Sequence, residues 1–434
     1  MSRISDPVAL WRAVVQAGGT EAYVNAQLVE RGFLIERKPT DDMSDREREA
    51  YKKSLKVEAE ERRKIAREAW TAYRANHIVY LGDGVWWHDE PRKDKWDLPD
   101  AEERAAENEL PPLDTPQQLA EALGLTVPQL RWLAYHREAA TRIHYYRFAI
   151  PKRDGSPRPI WAPLPKLKAA QHWILHNIVE RLLVHGSAHG FLPARSIQSN
   201  AAAHTNASIL VKLDIKEFFP TVTWPRVKGV FRKAGYREQI ATLLALICTE
   251  APREVVRHEG QDFFVALGPR CLPQGAPTSP ALTNALCLRL DQRLTGLAKR
   301  LGWRYTRYAD DLTFSLPADH AGPPKTGALL GLVRRIVEAE GFKIHPDKTR
   351  VARAGARQKV TGLVVNGSTG PRVPREVRRR LRAAIHNLGQ GKPLKDGETP
   401  AHLAGMAAYV HMTDPALGAK LLAALNGATN RRGT

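Results

Sequence analysis

The feature that most constrains this fold is a pair of adjacent aspartates in a segment that otherwise has strand character. Residues 303–315 read WRYTRYADDLTFS, which predicts a β-hairpin with Ala309 and Asp310 at its turn. Asp310 and Asp311 repel each other, so a tight turn that holds both is costly unless a cation neutralises them. The chain must therefore bring this turn to a positive partner.

A third carboxylate is predicted at the end of a separate strand. Residues 209–215 read ILVKLDI, a β-prone run that ends close to Asp214. By itself such an aspartate is more often a helix cap or a salt-bridge partner. Together with Asp310 and Asp311 it can hold two Mg²⁺ ions roughly 3.5–4 Å apart, the arrangement for in-line phosphoryl transfer. Mg²⁺ prefers such hard oxygen ligands.

Charge is distributed unevenly along the chain. The 434 residues carry 66 Lys and Arg against 46 Asp and Glu, a formal net charge of +20. Residues 1–110 hold 19 basic and 23 acidic side chains, which leaves 47 basic and 23 acidic ones for residues 111–434. Such a field attracts polyanions, nucleic acid above all, although a basic surface kept for solubility is the alternative.

Cysteine usage and hydropathy bound the compartment. Cys248, Cys271 and Cys287 are an odd number without CxxC spacing, which argues against a disulfide framework and for a reducing compartment. The N-terminus lacks the apolar core of a signal peptide, and no apolar run reaches about 18 residues. We therefore expect a soluble cytoplasmic protein with no membrane partner.

Residues 1–110 are predicted to form a separate, mostly helical extension. The capping-box spacing of Ser44 and Glu47 opens a long charged helix that runs to about Asn76. Residues 77–81 and 85–88 predict a β-hairpin, and a polar linker follows.

Residues 115–135 predict two short helices. This outline fits either a DNA-reading helix-turn-helix or a packed helical hairpin. The second helix is poor in exposed base-reading residues, which favours the packed hairpin.

Over roughly residues 145–412 the sequence resembles reverse transcriptases. Their two acidic motifs look like residues 213–215, LDI, and residues 308–311, YADD. The resemblance implies an α+β right-hand polymerase with fingers and palm over residues 111–370, a ferredoxin-like antiparallel palm sheet, and a helical, RNA-binding thumb over residues 371–434. It also implies two Mg²⁺ ions, held at Asp214, Ile215, Asp310 and Asp311.

The same resemblance implies a nucleotide site. Lys152 and Arg158 stand where the family binds the triphosphate, and Gln274 stands where a glutamine lies over the incoming nucleotide. Phe219 falls at the sugar gate, which predicts selection of deoxynucleotides (dNTPs), although one of Phe218 and Phe219 is a core aromatic in any case. Lys348 is a secondary candidate as a proton donor to pyrophosphate.

Two further elements resemble those of bacterial retron reverse transcriptases. They are an NAxxH element with Asn200 and His204, and a VTG element formed by Val360, Thr361 and Gly362. Retron membership implies a cognate structured non-coding RNA, priming from the 2′-hydroxyl of an internal guanosine, and a branched, RNA-linked single-stranded DNA product (msDNA). It also implies an accessory effector protein and a part in anti-phage defence.

RNA recognition is expected in the thumb. On a helix, the side chains of Arg375, Arg378, Arg379 and Arg382 share one face suited to a phosphate backbone, and a solvated basic helix is the alternative. The role of residues 1–110 stays open between RNA binding, contact with an effector and stabilisation of the fingers.

Two other readings compete with a retron polymerase. A group II intron-like or other bacterial reverse transcriptase is disfavoured because no maturase segment is recognisable after residue 370 and because the VTG element is present. A non-catalytic RNA-binding scaffold is disfavoured because the three aspartates and the nucleotide-site residues are all retained.

Overall fold

The structure is a computed structural model that describes residues 7–31, 33–34, 38–88, 96–151, 155–395 and 397–430. Its contacts divide the chain into an N-terminal unit, Met1–His77, and a second unit, Ile78–Thr434. This boundary precedes the expected one near residue 110. The reason is that Ile78, Leu81 and Leu110 are all buried in the core of the second unit.

The N-terminal unit is helical in its described part. Its helices are α1 (Pro7–Gln16), α2 (Thr20–Glu30) and α3 (Asp45–Asn76). The predicted capping box is present, because the Ser44 side chain accepts from the Glu47 backbone while the Glu47 carboxylate accepts from the Ser44 backbone. The helix α3 buries none of its residues, so local pairs such as Arg62–Glu58, 2.7 Å apart, support it.

The second unit mixes helices and strands. Its helices are α4 (Ala101–Glu107), α5 (Pro116–Ala122), α6 (Val127–Ala134), α7 (Pro165–Asn177), α8 (Ile197–Ala202), α9 (Trp224–Ala234), α10 (Glu238–Cys248), α11 (Ser279–Leu286), α12 (Leu288–Leu301), α13 (Thr326–Ala339), α14 (Arg375–Gly389), α15 (Pro400–His411) and α16 (Pro415–Asn430). Its strands are β1 (Ala139–Ala140), β2 (Tyr145–Pro151), β3 (Pro157–Pro163), β4 (Ala207–Asp214), β5 (Arg253–His258), β6 (Gln261–Ala266), β7 (Arg304–Tyr308), β8 (Asp311–Pro317), β9 (Arg350–Arg353), β10 (Lys359–Val360) and β11 (Leu363–Val364).

The β-hairpin predicted over residues 77–88 is wrong. Gly82 instead forms an isolated parallel bridge with His136. The two backbones are so close that a Cβ at position 82 would lie 2.0 Å from the His136 carbonyl oxygen. Ile78, Leu81 and Val85 are buried, so this segment packs on the core. Their spacing of three and four residues is not the alternation of a half-buried strand.

The helices α5 and α6 form a packed pair. Thr115 and Thr126 cap them in two capping boxes. Each threonine side chain accepts from the backbone N–H of the glutamine three residues later, and that glutamine side chain accepts from the threonine backbone N–H. Leu119, Leu130 and Leu133 are buried between them and the core. The packing agrees with the helical-hairpin interpretation.

A four-stranded antiparallel sheet with the strand order β7-β8-β4-β9 organises the second unit. Successive side chains of β4 point to opposite faces of the sheet. Val211 and Leu213 therefore pack into the main core, and Leu210 packs into a second core. The helix α12 packs on β7 and on α13 on the main-core face. The other face carries Lys212 and Asp214 beyond Leu210, so its polar side chains lie at the end of β4 next to the second core.

The described residues form three smaller sheets, one of which is the β10–β11 pair. β2 and β3 form a hairpin whose described turn residue Gly155 has φ +81°, a left-handed conformation that suits glycine. The strands β1, β6 and β5 form a three-stranded sheet in that order. A backbone hydrogen bond of 2.7 Å from Trp161 to the Gln274 carbonyl ties β3 to the loop before α11.

The C-terminal helices have a core of their own. The helices α14, α15 and α16 bury Leu381, Leu403 and Leu425 together with Val360 of β10 and Leu210 of β4. This second core is continuous with the polar face of the sheet, so it fixes these helices beside that face.

The helices α11 and α12 meet at Cys287, and α12 buries Leu290 and Leu294. Among the helices of the described ranges, none combines the length and the apolar composition that a bilayer crossing requires.

Candidate active site

The sheet brings the three predicted carboxylates to one end of two neighbouring strands. Asp214, the last residue of β4, lies directly opposite Asp311, the first residue of β8. The Ile215 backbone N–H donates to the Asp310 carbonyl at 3.0 Å. Ala309 makes the turn with φ +55°, a left-handed conformation that is uncommon for a residue with a side chain. The tertiary structure therefore joins two segments that lie far apart in the sequence.

Two lysines face these carboxylates. Lys348 Nζ lies 2.9 and 3.1 Å from the two Asp214 carboxylate oxygens, and Lys212 Nζ lies 3.7 Å from Asp311 Oδ2. Three carboxylates stand against two ammonium groups, so the cluster keeps a net negative charge.

Burial and mutual repulsion make this cluster costly to ionise. Burial, reinforced by the neighbouring charges of Asp214 and Asp311, raises the pKa of Asp310 to about 6. Burial also raises the pKa of Asp311, against the opposing effect of Lys212. A site that disfavours its own negative charge is one that a bound cation would stabilise.

The residues present fit a divalent cation by their chemistry. Three carboxylates and the backbone around Ile215 offer only hard oxygen ligands. Within the described ranges, no three His, Cys, Asp or Glu side chains converge as a ready-made metal site. The Asp214 carboxylate is turned to Lys348 instead, so an ion at Asp214 would take the place of that ammonium group.

A buried ion pair supports the turn from the apolar side of the sheet. Arg307 and Asp291 are both fully buried, with Nη2 and Oδ2 2.7 Å apart. Arg307 Nη1 also donates to Asn284 Oδ1 at 3.1 Å and to the Ala309 carbonyl at 3.3 Å. The Arg307 guanidinium thus links α11 and α12 to the residue that precedes Asp310.

The NAxxH element lies on the polar side of the same hairpin. The His204 ring nitrogens lie 2.7 Å from Ser315 Oγ and 2.7 Å from Thr306 Oγ1, and Thr306 Oγ1 donates to Asn200 Oδ1 at 2.6 Å. Burial lowers the pKa of His204 to about 3, so the ring is neutral at neutral pH. Asn200 and His204 therefore hold β7 and β8 rather than contact the carboxylates.

The VTG element packs against the NAxxH helix. Thr361 Oγ1 donates to the Ile197 carbonyl of α8 at 2.9 Å, and Val360 is fully buried in the second core. Gly362 has φ +91°, and a Cβ there would lie 3.3 Å from the Tyr409 hydroxyl of α15. The two family elements thus meet between the sheet and the C-terminal helices.

The structure places the predicted nucleotide residues as follows. Arg158 is exposed on β3, three residues before Trp161, whose N–H binds the Gln274 carbonyl. Phe219 is half-buried, whereas Phe218 is buried, with its ring centroid 5.5 Å from that of Phe342. Lys152 lies outside the described residues.

The predicted arginine face forms on α14. Arg375, Arg379 and Arg382 are exposed, and the opposite side of the helix buries Leu381 and Ile385. Arg378 is only half-buried, and its Nε is enclosed without a hydrogen-bond partner.

Sequence reasoning missed Lys212, Asp291 and Arg307. Lys212 stands two residues before Asp214 on the same face of β4, so strand periodicity could have identified it. Asp291 interrupts the apolar series of α12, and Arg307 interrupts a predicted strand. Only the fold shows that these two charges pair.

A known family matches the region that holds this cluster. The family described as "Reverse transcriptase (RNA-dependent DNA polymerase)" matches residues 150–380. That range includes all three aspartates and both lysines that face them.

Comparison with individual proteins gives similarity over most of the chain. The retron Mx162 reverse transcriptase of Myxococcus xanthus is 55% identical over 424 residues, which cover 95% of this chain and 87% of that protein. The retron Mx65 reverse transcriptase of the same organism is 46% identical, and the match covers 73% of this chain and 72% of that protein. The retron Ec86 reverse transcriptase of Escherichia coli is 33% identical, and the match covers 65% of this chain and 81% of that protein.

Among solved structures, a telomerase of Candida albicans in complex with a fragment of telomeric RNA aligns with a TM-score of 0.37 and 12% sequence identity. It covers 64% of this chain and 54% of that chain, a likeness too weak to carry an argument.

Proposed function

This chain belongs to the retron reverse transcriptases and is an RNA-directed DNA polymerase, and we propose that it copies part of its own structured RNA into branched, RNA-linked single-stranded DNA. Priming from the 2′-hydroxyl of an internal guanosine is part of this proposal. The observation that supports DNA synthesis is the direct pairing of Asp214 with Asp311 in the sheet, with Asp310 at the adjoining turn. The branched product and its priming are proposed from the similarity to retron reverse transcriptases.

We propose that Asp214, Asp310, Asp311 and the Ile215 carbonyl hold two Mg²⁺ ions. When bound, the ions would activate the attacking hydroxyl and neutralise the leaving pyrophosphate. Lys348 lies against Asp214 and is the proposed proton donor to pyrophosphate. Lys212 reduces the repulsion around Asp311 from its place on β4.

The proposed dNTP site lies between the β2–β3 hairpin and the loop at Gln274. The hydrogen bond between Trp161 and Gln274 supports this placement, because it fixes Arg158 and Gln274 on connected backbone. The strand order β7-β8-β4-β9, with helices inserted in the crossovers, supports a ferredoxin-like palm. Lys152 remains a proposed triphosphate ligand on the basis of its position in the sequence alone.

Phe219 is proposed as the sugar gate. We expect Phe219→Ala to raise the relative use of ribonucleotides by roughly 10-fold or more, because a ring packed against C2′ excludes the hydroxyl. The measurement is the ratio of kcat/KM for dGTP and GTP in primer extension. Phe218→Leu, in the core, is the matched control and should leave the ratio unchanged. An unaltered ratio in Phe219→Ala would return that ring to a packing role.

The exposed arginines of α14 are proposed to bind the cognate RNA. We expect the triple reversal of Arg375, Arg379 and Arg382 to Glu to weaken RNA binding and to lower the slope of log K against log salt by about 3. Filter binding over a range of salt concentrations measures both. Reversal of Lys299, Arg300 and Arg335 to Glu makes an equal charge change elsewhere. If both triple variants lose affinity alike, only the overall charge matters.

The proposed place of action is the cytoplasm. Cys248, Cys271 and Cys287 are buried free thiols, which suits a reducing compartment. An accessory effector protein and a part in anti-phage defence complete the proposed role, on the strength of retron membership.

Primer extension with purified protein, an RNA template, dNTPs and Mg²⁺ tests the polymerase. We expect DNA product that depends on the RNA template and disappears with a chelator. Isolation of the protein from its own host, followed by sequencing of the nucleic acid that co-purifies with it, tests the branched product. Linear DNA without a 2′-linked guanosine would exclude self-priming while leaving the polymerase intact.

A further inference from the structure

A surface patch that the polymerase chemistry does not use lies on residues 80–144, before the matched region begins at residue 150. Two sets of contacts lie there, one around the Tyr135 ring and one between Trp132 and His144, and residues 131–135 join them along the chain. We call it the aromatic–arginine patch, and its members are Tyr80, Arg131, Trp132, Tyr135, Arg137 and His144.

Two arginines stack on one tyrosine in this patch. The guanidinium carbons of Arg131 and Arg137 lie 4.8 and 4.9 Å from the Tyr135 ring centroid. Tyr80 meets the same ring edge-on at 5.9 Å, and its carbonyl accepts from Arg131 Nε at 3.0 Å. Arg131 is half-buried and donates to Tyr80, whereas Arg137 is exposed over the ring and its N–H groups can meet phosphate oxygens.

Trp132 presents a large aromatic ring to solvent. Its ring meets the His144 ring edge-on at 4.1 Å, and His144 Nε2 lies 3.0 Å from the Trp132 carbonyl oxygen. These contacts hold the indole in place while 49% of the residue stays exposed, and Tyr80 is 41% exposed. Both rings therefore offer a fixed surface on which a flat group can stack.

The charge around the patch is positive. Residues 131–147 contain four arginines against a single acid, Glu138. The nearby Asp83 accepts a hydrogen bond from the Tyr80 hydroxyl. Arg137 is exposed and its guanidinium lies over the Tyr135 ring, so its charge is available to an external anion.

We propose that the aromatic–arginine patch binds an unpaired stretch of RNA, with bases stacked on Trp132 and Tyr80 and a phosphate held by Arg137. Exposed bases stack on aromatic side chains irrespective of sequence, and arginine adds charge and stacking. A duplex keeps its bases stacked on each other and cannot use this surface in the same way. An apolar protein partner would not need guanidinium groups stacked on the ring, so the chemistry favours RNA.

Fluorescence anisotropy with a labelled single-stranded oligoribonucleotide of about 12 nucleotides tests this assignment in the full-length protein. We expect Trp132→Ala and Arg137→Ala each to weaken binding by roughly 10-fold, the scale of one lost stacking contact. Trp132→Phe should keep most of the affinity because it retains a ring. Arg137→Ala should also lower the salt slope by about 1.

Trp70→Ala is the matched control, because Trp70 of α3 is also 49% exposed. Thermal melting followed by circular dichroism confirms that each variant is folded. Wild-type affinity in both patch variants, an equal loss in Trp70→Ala, or equal binding of the matching duplex would each overturn the RNA assignment.

Primer extension on a template with a short overhang separates this inference from the polymerase function. The patch variants should extend such a primer at the wild-type rate, since the patch lies outside the matched catalytic region. If the wild-type protein extended no primer while the patch variants still lost RNA affinity, only the polymerase proposal would fall.

Discussion

Replacing Asp310 or Asp311 by Asn is expected to lower primer extension by roughly 1,000-fold or more. Each substitution removes a charged ligand from the proposed metal site, where the ions would stabilise the transition state by several kcal/mol. A loss of about 1.4 kcal/mol lowers the rate by a factor of ten. Single-turnover extension on an RNA template measures the loss. RNA binding should be unchanged, because neither side chain belongs to the proposed RNA surfaces.

The same variants separate loss of chemistry from loss of folding. The pKa of Asp310 is raised to about 6 in the folded protein, above the ordinary value of 3.8, so the folded state holds its proton more strongly than the unfolded chain. The stability that protonated Asp310 gives the folded state is therefore lost as the pH rises from 3.8 to about 6. Asp310→Asn removes this cost, so the metal-free variant should unfold at the same temperature as the wild type or higher at pH 7.

Asp319→Asn is the matched control for these variants, because Asp319 is an exposed acid that follows β8 at the far end of the same hairpin. It should extend primers at the wild-type rate. Full activity in Asp310→Asn and Asp311→Asn would instead make the protein an RNA-binding scaffold whose DNA synthesis has another source.

The second large effect is expected at the buried pair of Asp291 and Arg307. Asp291→Asn should lower the free energy of unfolding by about 3–5 kcal/mol, because it leaves the Arg307 charge buried without its partner. Urea unfolding measures this loss. Asp100→Asn, which breaks the exposed pair with Arg104 at 2.8 Å, should cost less than about 1 kcal/mol.

A double variant separates stability from positioning. Asp291→Leu combined with Arg307→Met should recover much of the stability, because apolar replacements of a buried pair are often neutral. It should not recover the extension rate, because the donor to the Ala309 carbonyl is gone and the turn before Asp310 loses that support. A double variant with the wild-type rate would limit the pair to a role in folding.

Several elements could be predicted because their signals are local. The capping box of Ser44 and Glu47, the helices α5 and α6 and the β7–β8 hairpin depend on residues a few positions apart. The hairpin predicted over residues 77–88 failed because burial of Ile78 and Leu81 against a distant segment outweighed the local turn signal. Long-range packing has no signature within so short a window.

The sequence by itself determined the chemistry of the candidate site. Three aspartates without a cluster of cysteine or histidine ligands, the order of the acidic motifs, and the NAxxH and VTG elements already indicate a retron reverse transcriptase. These properties depend on which residues are present and in what order, and folding does not change them.

Only the tertiary structure decided which groups meet. The register of β4 against β8 sets Asp214 beside Asp311, the segment before β9 brings Lys348 to Asp214, and the packing of α12 on β7 buries Arg307 against Asp291. Burial also makes His204 a neutral support for the hairpin, and packing brings the Tyr80 ring to the Tyr135 ring. Distances between residues far apart in the chain follow from packing of the whole core, which no single segment encodes.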